Sequence, residues 1–268
     1  MTYTQSHNAA VLSSHSSRTV QNSAAFLLPH LRPTDHVLDI GCGPGSITQG
    51  FAKVCSQGRV IGIDQSSYVV GQAAQTYPAA DYPNLTFQAG DVLSEDGLPF
   101  PDNTFDVVYT SQTLIHIPDP VRAIREAYRL LKPGGVLAMR EADSSNWYPK
   151  LQGLELYNRA MDAMIRSSGA PGFGNCRALH AWAHEAGFDR SRMKLGGDVL
   201  VYADPEQRRW WADGGLGRLK HDTEEGEEAK KQLVGEEGIA IMERDLRLWA
   251  DDVDGWYSNY QVQVLCWK

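Results

Sequence analysis

Three glycines at alternate positions, Gly41, Gly43 and Gly45, follow the apolar run His36-Val37-Leu38-Asp39-Ile40, and two acidic residues, Asp64 and Asp91, close later apolar runs. Glycine lets a backbone turn sharply and come close to a bound molecule, because no Cβ stands in the way. A turn of this kind, between a buried strand and a helix opening at Ser46, reads as a small-molecule site. Its spacing is G-x-G-x-G. The dinucleotide fingerprint is G-x-G-x-x-G, whose last glycine packs helix against strand while the helix N-terminus holds a pyrophosphate. Position 46 is serine, and Asp39 sets a carboxylate near the turn, where it repels a pyrophosphate and attracts an ammonium or sulfonium. The pattern favours a nucleotide-like ligand that carries positive charge. Cys42, inside the turn, reads as a small packing residue rather than a nucleophile.

Several elements must bring these residues together. Arg59 to Asp64, Phe87 to Val92 and Phe105 to Thr110 read as further strands, and helices are expected over residues 19–31, stopped by Pro33, and over Ser67 to Gln75. Asp119 reads as an N-cap with Pro120 at the first helical position of a helix running to Leu131, and Pro133-Gly134-Gly135 turns the chain into a fifth strand. Repeated strand-then-helix order requires parallel strands with crossover helices on both faces, an α/β doubly wound sheet. Ligands bind such a sheet at the carboxyl ends of its strands. Residues 150–187 hold two helical patterns around the breaker Gly169 to Gly174. Met193 to Val201 and Gln261 to Trp267 read as the last strands, with residues 203–256 as a helical insertion between them. An insertion of that length is expected to serve function, as lids do.

On the turn at residues 41–45 and the four segments that follow it in order, the sequence resembles the class I S-adenosylmethionine-dependent methyltransferases. Within them it is similar to the small-molecule group related to the ubiquinone/menaquinone C-methyltransferases. The match spans roughly residues 10–140 and thins beyond about 145. It implies one domain, residues 1–268, with a Rossmann-like seven-stranded sheet in the order 3-2-1-4-5-7-6, helical cap insertions, and residues 1–31 as an N-terminal lid and helix carrying Tyr3, His7 and His15. The implied cofactor is S-adenosylmethionine, leaving as S-adenosylhomocysteine. Gly41 and Gly43 would expose backbone to its methionyl part, with Asp39 balancing the ammonium. Asp64 would accept from the ribose hydroxyls and Gln65 would lie against the adenine edge. Asp91 would accept from the adenine amine while Val92 offers its backbone N–H, and Thr110, Ser111 and Gln112 would lie beneath the sulfonium. Arg18 could reach the methionyl carboxylate, but solvation is the usual fate of a lone arginine.

Methyl transfer from a sulfonium is an in-line displacement with a neutral leaving group, so the protein mainly aligns its reactants in a dry cavity. An acidic acceptor gains from a base, and His116, following the fourth strand, is the candidate; a structural hydrogen-bonding role is the competing reading. Trp147, Tyr148, Trp211 and Tyr257 fall where the resembled family builds its acceptor pocket, with Trp210 and Trp256 beside them. They suit a flat acceptor, aromatic, quinone-like or polyketide-like, methylated on oxygen or carbon. Two other functions remain open at this stage: a non-catalytic protein that binds the cofactor as a sensor or scaffold, and, against the glycine spacing, an NAD(P)-dependent oxidoreductase.

Composition narrows the partners. With 25 Lys and Arg against 33 Asp and Glu the formal net charge is -8, and no basic stripe is present to track phosphates, so nucleic acid is not expected as substrate. No segment approaches the ~20 apolar residues of a membrane span, and the N-terminus lacks a signal-peptide pattern. The four cysteines have no metal or disulfide spacing, which fits a reducing cytoplasm and no metal site. The partner expected is a small-molecule acceptor, with a homodimer left open.

Overall fold

The computed structural model describes residues 16–220 and 224–268; Tyr3, His7 and His15 lie outside the described residues. Seven strands form one sheet in the order β3-β2-β1-β4-β5-β7-β6. They are β1 (His36–Ile40), β2 (Arg59–Asp64), β3 (Leu85–Ala89), β4 (Phe105–Ser111), β5 (Leu131–Tyr148), β6 (Met193–Tyr202) and β7 (Trp256–Trp267). The first five pair in parallel, whereas β7 runs antiparallel to both β5 and β6. The order reverses between β1 and β4, which places the switch-point crevice at their carboxyl ends.

The helices among the described residues are α1 (Val20–Ser23), α2 (Ser46–Val54), α3 (Ser67–Thr76), α4 (Pro120–Leu130), α5 (Gln152–Arg166), α6 (Leu179–Glu185), α7 (Pro205–Lys220) and α8 (Glu224–Asp251). Period-two alternation along the strands divides the core. Leu38, Ile61, Val108 and Leu137 face α4 and α6, while Val37, Val60, Val107 and Ala138 face Phe51 and Ala52 of α2 with Val20, Ala24 and Leu27. Asp119 caps α4 by accepting from Arg122 N at 2.9 Å, with Pro120 in the first turn, where a missing N–H costs nothing. Gly187, at φ +115°, ends α6: its N–H donates to His184 O and that of Phe188 to Ala183 O, a Schellman closure.

Several elements differ from the sequence reading. β3 spans Leu85–Ala89 rather than Phe87 to Val92, so Asp91 lies two residues beyond its end. The helix expected over 19–31 is split into α1, opened by reciprocal Thr19 and Asn22 capping bonds, and a 3-10 turn at Leu28–His30 that contains Pro29. Local capping and a missing N–H outweigh the helical spacing there. β7 begins at Trp256 rather than Gln261, because Ser258 and Asn259 are buried polar residues that interrupt the apolar pattern while pairing with β5. β5 continues to Tyr148 across a register shift between Ala142 and Ser144.

A second core lies above the strand ends. Leu154, Tyr157, Met161 and Met164 of α5 pack with Ala212 and Leu216 of α7 and Met242, Leu246 and Trp249 of α8, both of which lie between β6 and β7 in sequence. Buried polar groups fix this cap. Arg208 donates to the carbonyls of Ala203, Ala250 and Gly255, and Asp245 accepts from Gly153 N at 2.7 Å. Among the described residues no helix is long and apolar enough to cross a membrane, and no three His, Cys, Asp or Glu side chains gather as a metal site.

Candidate cofactor and acceptor site

The turn after β1 takes left-handed backbone at each glycine, φ +74°, +53° and +83° for Gly41, Gly43 and Gly45. The three have different reasons. A Cβ on Gly41 would stand 2.2 Å from Thr113 Oγ1 and one on Gly45 2.6 Å from the Phe87 ring, so both are packing constraints. A Cβ on Gly43 would meet nothing within 4 Å, so this is the glycine whose open side faces free space. Gly41 N and Cys42 N both donate to Ile63 O, which ties the turn to the end of β2.

Asp64 continues that tie. Its Oδ2 accepts from Gly43 N and its Oδ1 from Ser66 N, each at 3.0 Å. A carboxylate has about four lone-pair sites, so two remain for a ligand's hydroxyls. At the end of β3, Asp91 accepts from Gln65 Nε2 at 3.0 Å and from Leu93 N at 2.8 Å, so Gln65 and Asp91 form one polar rim, and Val92 is buried beneath it beside Leu98.

Asp39 is buried under the turn, where its Oδ2 accepts from Thr48 Oγ1 of α2 at 2.6 Å. Burial pushes its carboxyl up to about 7, against the Thr48 hydrogen bond; the nearby Asp64 adds to the rise. Burial, then Asp39 and Asp64, also holds the Cys42 thiol protonated. The folded state therefore binds a proton at Asp39 that the unfolded chain releases near 3.8, and the contribution of Asp39 to stability is lost as pH rises from about 4 through 7. Asp39→Asn removes that slope. Its melting temperature should exceed wild type at pH 8 by an amount on the order of a few kcal/mol in stability, with little difference at pH 4. Calorimetric unfolding across that range checks this, and parallel slopes would contradict it.

At the end of β4, the Thr110 and Ser111 hydroxyls are buried, that of Thr110 with no hydrogen-bond partner among the described residues, and Gln112 holds a left-handed φ of +50°. A non-glycine residue there costs on the order of 1–3 kcal/mol and marks a constrained site. Gln112 Oε1 accepts from Arg18 Nη2 at 2.6 Å, and its Nε2 donates to Gln261 Oε1 at 3.0 Å. Arg18 is therefore drawn against the strand ends rather than left to solvent.

The next turn, Leu114–His116, is a 3-10 helix held by Glu141 of β5. Glu141 Oε1 accepts from the amides of Thr113 and Leu114 at 2.9 Å, and Oε2 from that of Ile115 at 3.4 Å. Burial pushes this carboxyl up to about 7, although the three amides work to lower it. Burial, and then the Arg18 charge, pushes the His116 imidazole down to about 4, so it is neutral at physiological pH. Sequence reasoning missed Glu141, which reads there as one more residue of a strand.

A cavity of about 160 Å³ opens beside Gln112 and His116. Its apolar wall comes from Tyr157 and Met161 of α5, Tyr202 of β6, Trp211 of α7 and Tyr257 of β7, with the Tyr202 and Tyr257 rings stacked at 5.9 Å and 7°. Of the aromatic residues expected at the acceptor, the structure brings Trp211 and Tyr257 to this wall and not the other two. Trp147 lies behind them, its ring 4.4 Å from that of Tyr257 and edge-on to Trp211 and Trp249, in the cap core. Tyr148, next along the strand, points the opposite way and is 59% exposed, as the period of two requires.

The residues present fit S-adenosylmethionine. The open face of Gly43, the spare acceptors of Asp64, the Gln65–Asp91 rim and the buried Thr110 and Ser111 hydroxyls all lie at the carboxyl ends of β1 to β4. Comparison with known proteins agrees. A methyltransferase-domain family model matches residues 31–191. The chain is 33% identical to the Aspergillus luteorubrus protein named "Probable methyltransferase ltbC", over 99% of this chain and 97% of that one. It is 40% identical to a demethylmenaquinone methyltransferase of Symbiobacterium thermophilum over 42% of this chain and 45% of that enzyme. Among solved structures, the YcgJ protein of Bacillus subtilis superimposes with a TM-score of 0.60 at 19% identity, covering 92% of this chain and 98% of that one. The [4+2]-cyclase SpnF does so at 0.51 and 22%, covering 98% and 87%, so the fold alone does not name the reaction. Full-length sequence similarity together with the donor-site geometry does: the chain belongs to the class I S-adenosylmethionine-dependent methyltransferases.

Proposed function

We propose that this methyltransferase acts on a small planar acceptor of aromatic, quinone or polyketide type, on oxygen or carbon, by in-line displacement. The observation that carries the reading is the cavity beside Gln112, with stacked Tyr202 and Tyr257 on one side and the β4 end on the other. S-adenosylmethionine supplies an electrophilic methyl group on a sulfonium that departs as a neutral thioether. The chain's own part is positioning: Gln112, fixed between Arg18 and Gln261, stands where the end of β4 meets the acceptor cavity, and the cap of α5, α7 and α8 covers it. A cavity of this size suits a ring system. The similarity to a demethylmenaquinone methyltransferase supports a ring acceptor.

His116 lines the cavity as a neutral imidazole. A group lowered to about 4 is a weak base for a phenol, and we assign it to orienting the acceptor hydroxyl. His116→Asn should lower kcat by about tenfold or less, and the kcat/KM profile of wild type should show no inflection near 6.5 that the variant lacks. A loss on the order of a thousandfold, with that inflection in wild type alone, would instead make it the general base. Incubating the protein with methyl-labelled S-adenosylmethionine and an extract of phenolic and quinonoid metabolites, followed by mass spectrometry, tests the function. A labelled ring product supports it; donor binding without any labelled product would mean a binding-only protein.

A further inference from the structure

The acceptor cavity has a second wall with a different chemistry. In a protein of net charge -8, its lining carries Arg18, Arg140 and Arg218, and among the described lining residues none is acidic. Arg140, on β5, is 1% exposed, and its Nε has no hydrogen-bond partner among the described residues. Its Nη2 faces both oxygens of Asp198 at 3.3 Å, long for a charge-assisted bond, and the Asp198 side chain is 37% exposed. A buried guanidinium so weakly matched is costly to the fold unless another anion completes it.

The amides beside it are all turned one way. Arginine can only donate, so Arg18 fixes Gln112 Oε1 as acceptor and leaves Gln112 Nε2 to donate to Gln261 Oε1. Gln261 Nε2 then donates to Asn259 Oδ1, and Asn259 Nδ2 to Ser145 Oγ at 2.9 Å. Every amide oxygen in the row is taken by its neighbour, while each NH2 group has a second hydrogen not used in the row. The row runs through the cavity lining beside Arg140 and offers donors to whatever binds there.

We propose that Arg140, with Gln112, Gln261 and Asn259, forms an oxyanion subsite of the acceptor cavity, and that the acceptor is a vinylogous acid bound as its anion. Such a molecule is an enol or phenol conjugated to a carbonyl, so its negative charge spreads over two oxygens. This rests on the planar-acceptor reading above and adds the charge. One oxygen lies on the Arg140 wall; the other attacks the methyl carbon as the C–S bond breaks with its electron pair going to sulfur. The acceptor's negative charge and the sulfonium's positive charge cancel, and no proton has to leave in the step. This is why the cavity works with so weak a base as His116.

The probes are 2-hydroxy-1,4-naphthoquinone, a vinylogous acid ionised at neutral pH, and 2-methyl-1,4-naphthoquinone, a neutral molecule of similar size. Both are measured by equilibrium dialysis against the full chain saturated with S-adenosylhomocysteine. The hydroxy compound should bind about tenfold or more tightly than the methyl compound in wild type, and Arg140→Met should bring the two within about twofold. Asp198→Asn, which removes the competing carboxylate, should widen the preference by about two- to fivefold. Equal binding of both quinones in wild type, or a preference that survives Arg140→Met, overturns the oxyanion subsite and leaves the planar acceptor standing. Failure of both quinones to bind a protein that still binds S-adenosylhomocysteine overturns the planar acceptor and the subsite together. If Arg140→Met does not fold, Asp198→Asn decides, and an unchanged preference there overturns the proposal.

Discussion

Asp64→Ala weakens S-adenosylhomocysteine binding by about a hundredfold, or about 3 kcal/mol. The carboxylate has two tasks at once. It holds the amides of Gly43 and Ser66, which sets the glycine turn against the start of α3, and its remaining lone pairs are left for the ribose hydroxyls we propose it binds. Charge-assisted hydrogen bonds to such a group are each worth ~1.5–3 kcal/mol, and the truncation also frees the Gly43 amide. Asp64→Asn keeps an acceptor for one amide and loses the charge, so it should fall between wild type and alanine, at about tenfold. Titration calorimetry measures both. Alanine-variant affinity within about twofold of wild type would remove the ribose from the end of β2.

Glu141→Ala is the most damaging substitution expected outside the cofactor site. Its two oxygens serve three successive amides, those of Thr113, Leu114 and Ile115, and the last two residues are buried. Each buried donor left without a partner costs ~1–3 kcal/mol, so the two together cost about 2–6 kcal/mol, a large share of the ~5–15 kcal/mol that stabilises a domain. The loop between β4 and α4 should loosen and the position of His116 with it. Denaturant unfolding should show the midpoint falling in proportion, and the acceptor KM should rise more than the donor KM. A variant as stable as wild type would mean that the loop amides find other partners.

The donor half of the site could be read from the sequence because its groups are local. In a parallel sheet every strand delivers its last residue to the same edge, so Gly43, Asp64, Asp91 and Gln112 converge once the strands are identified. The roles inside that edge were less accessible. Gly41 and Gly45 are glycines because of Thr113 and Phe87, which stand 72 and 42 residues away, and Asp39 spends its hydrogen bond on Thr48. The acceptor half depends on pairing between distant strands. Arg140, Asp198, Asn259 and Gln261 come from β5, β6 and β7, and nothing in their local pattern marks an arginine on an apolar strand as buried. The aromatic residues show the same limit: the family resemblance implied Trp147 and Tyr148 in the pocket, whereas the alternation of β5 sends one into the cap core and the other to solvent.

Methyl-donor binding at the turn after β1 is tested most directly by titrating S-adenosylhomocysteine into the wild-type chain and into Gly43→Val. A valine at position 43 fills the one part of the turn where a Cβ meets no protein atom, so the fold should survive at a cost of about 1–2 kcal/mol for the left-handed backbone. Wild type should bind one equivalent saturably while the folded valine variant gives no heat. Equal binding by the two proteins would place the donor elsewhere, and no binding by wild type at millimolar ligand would contradict the donor site altogether.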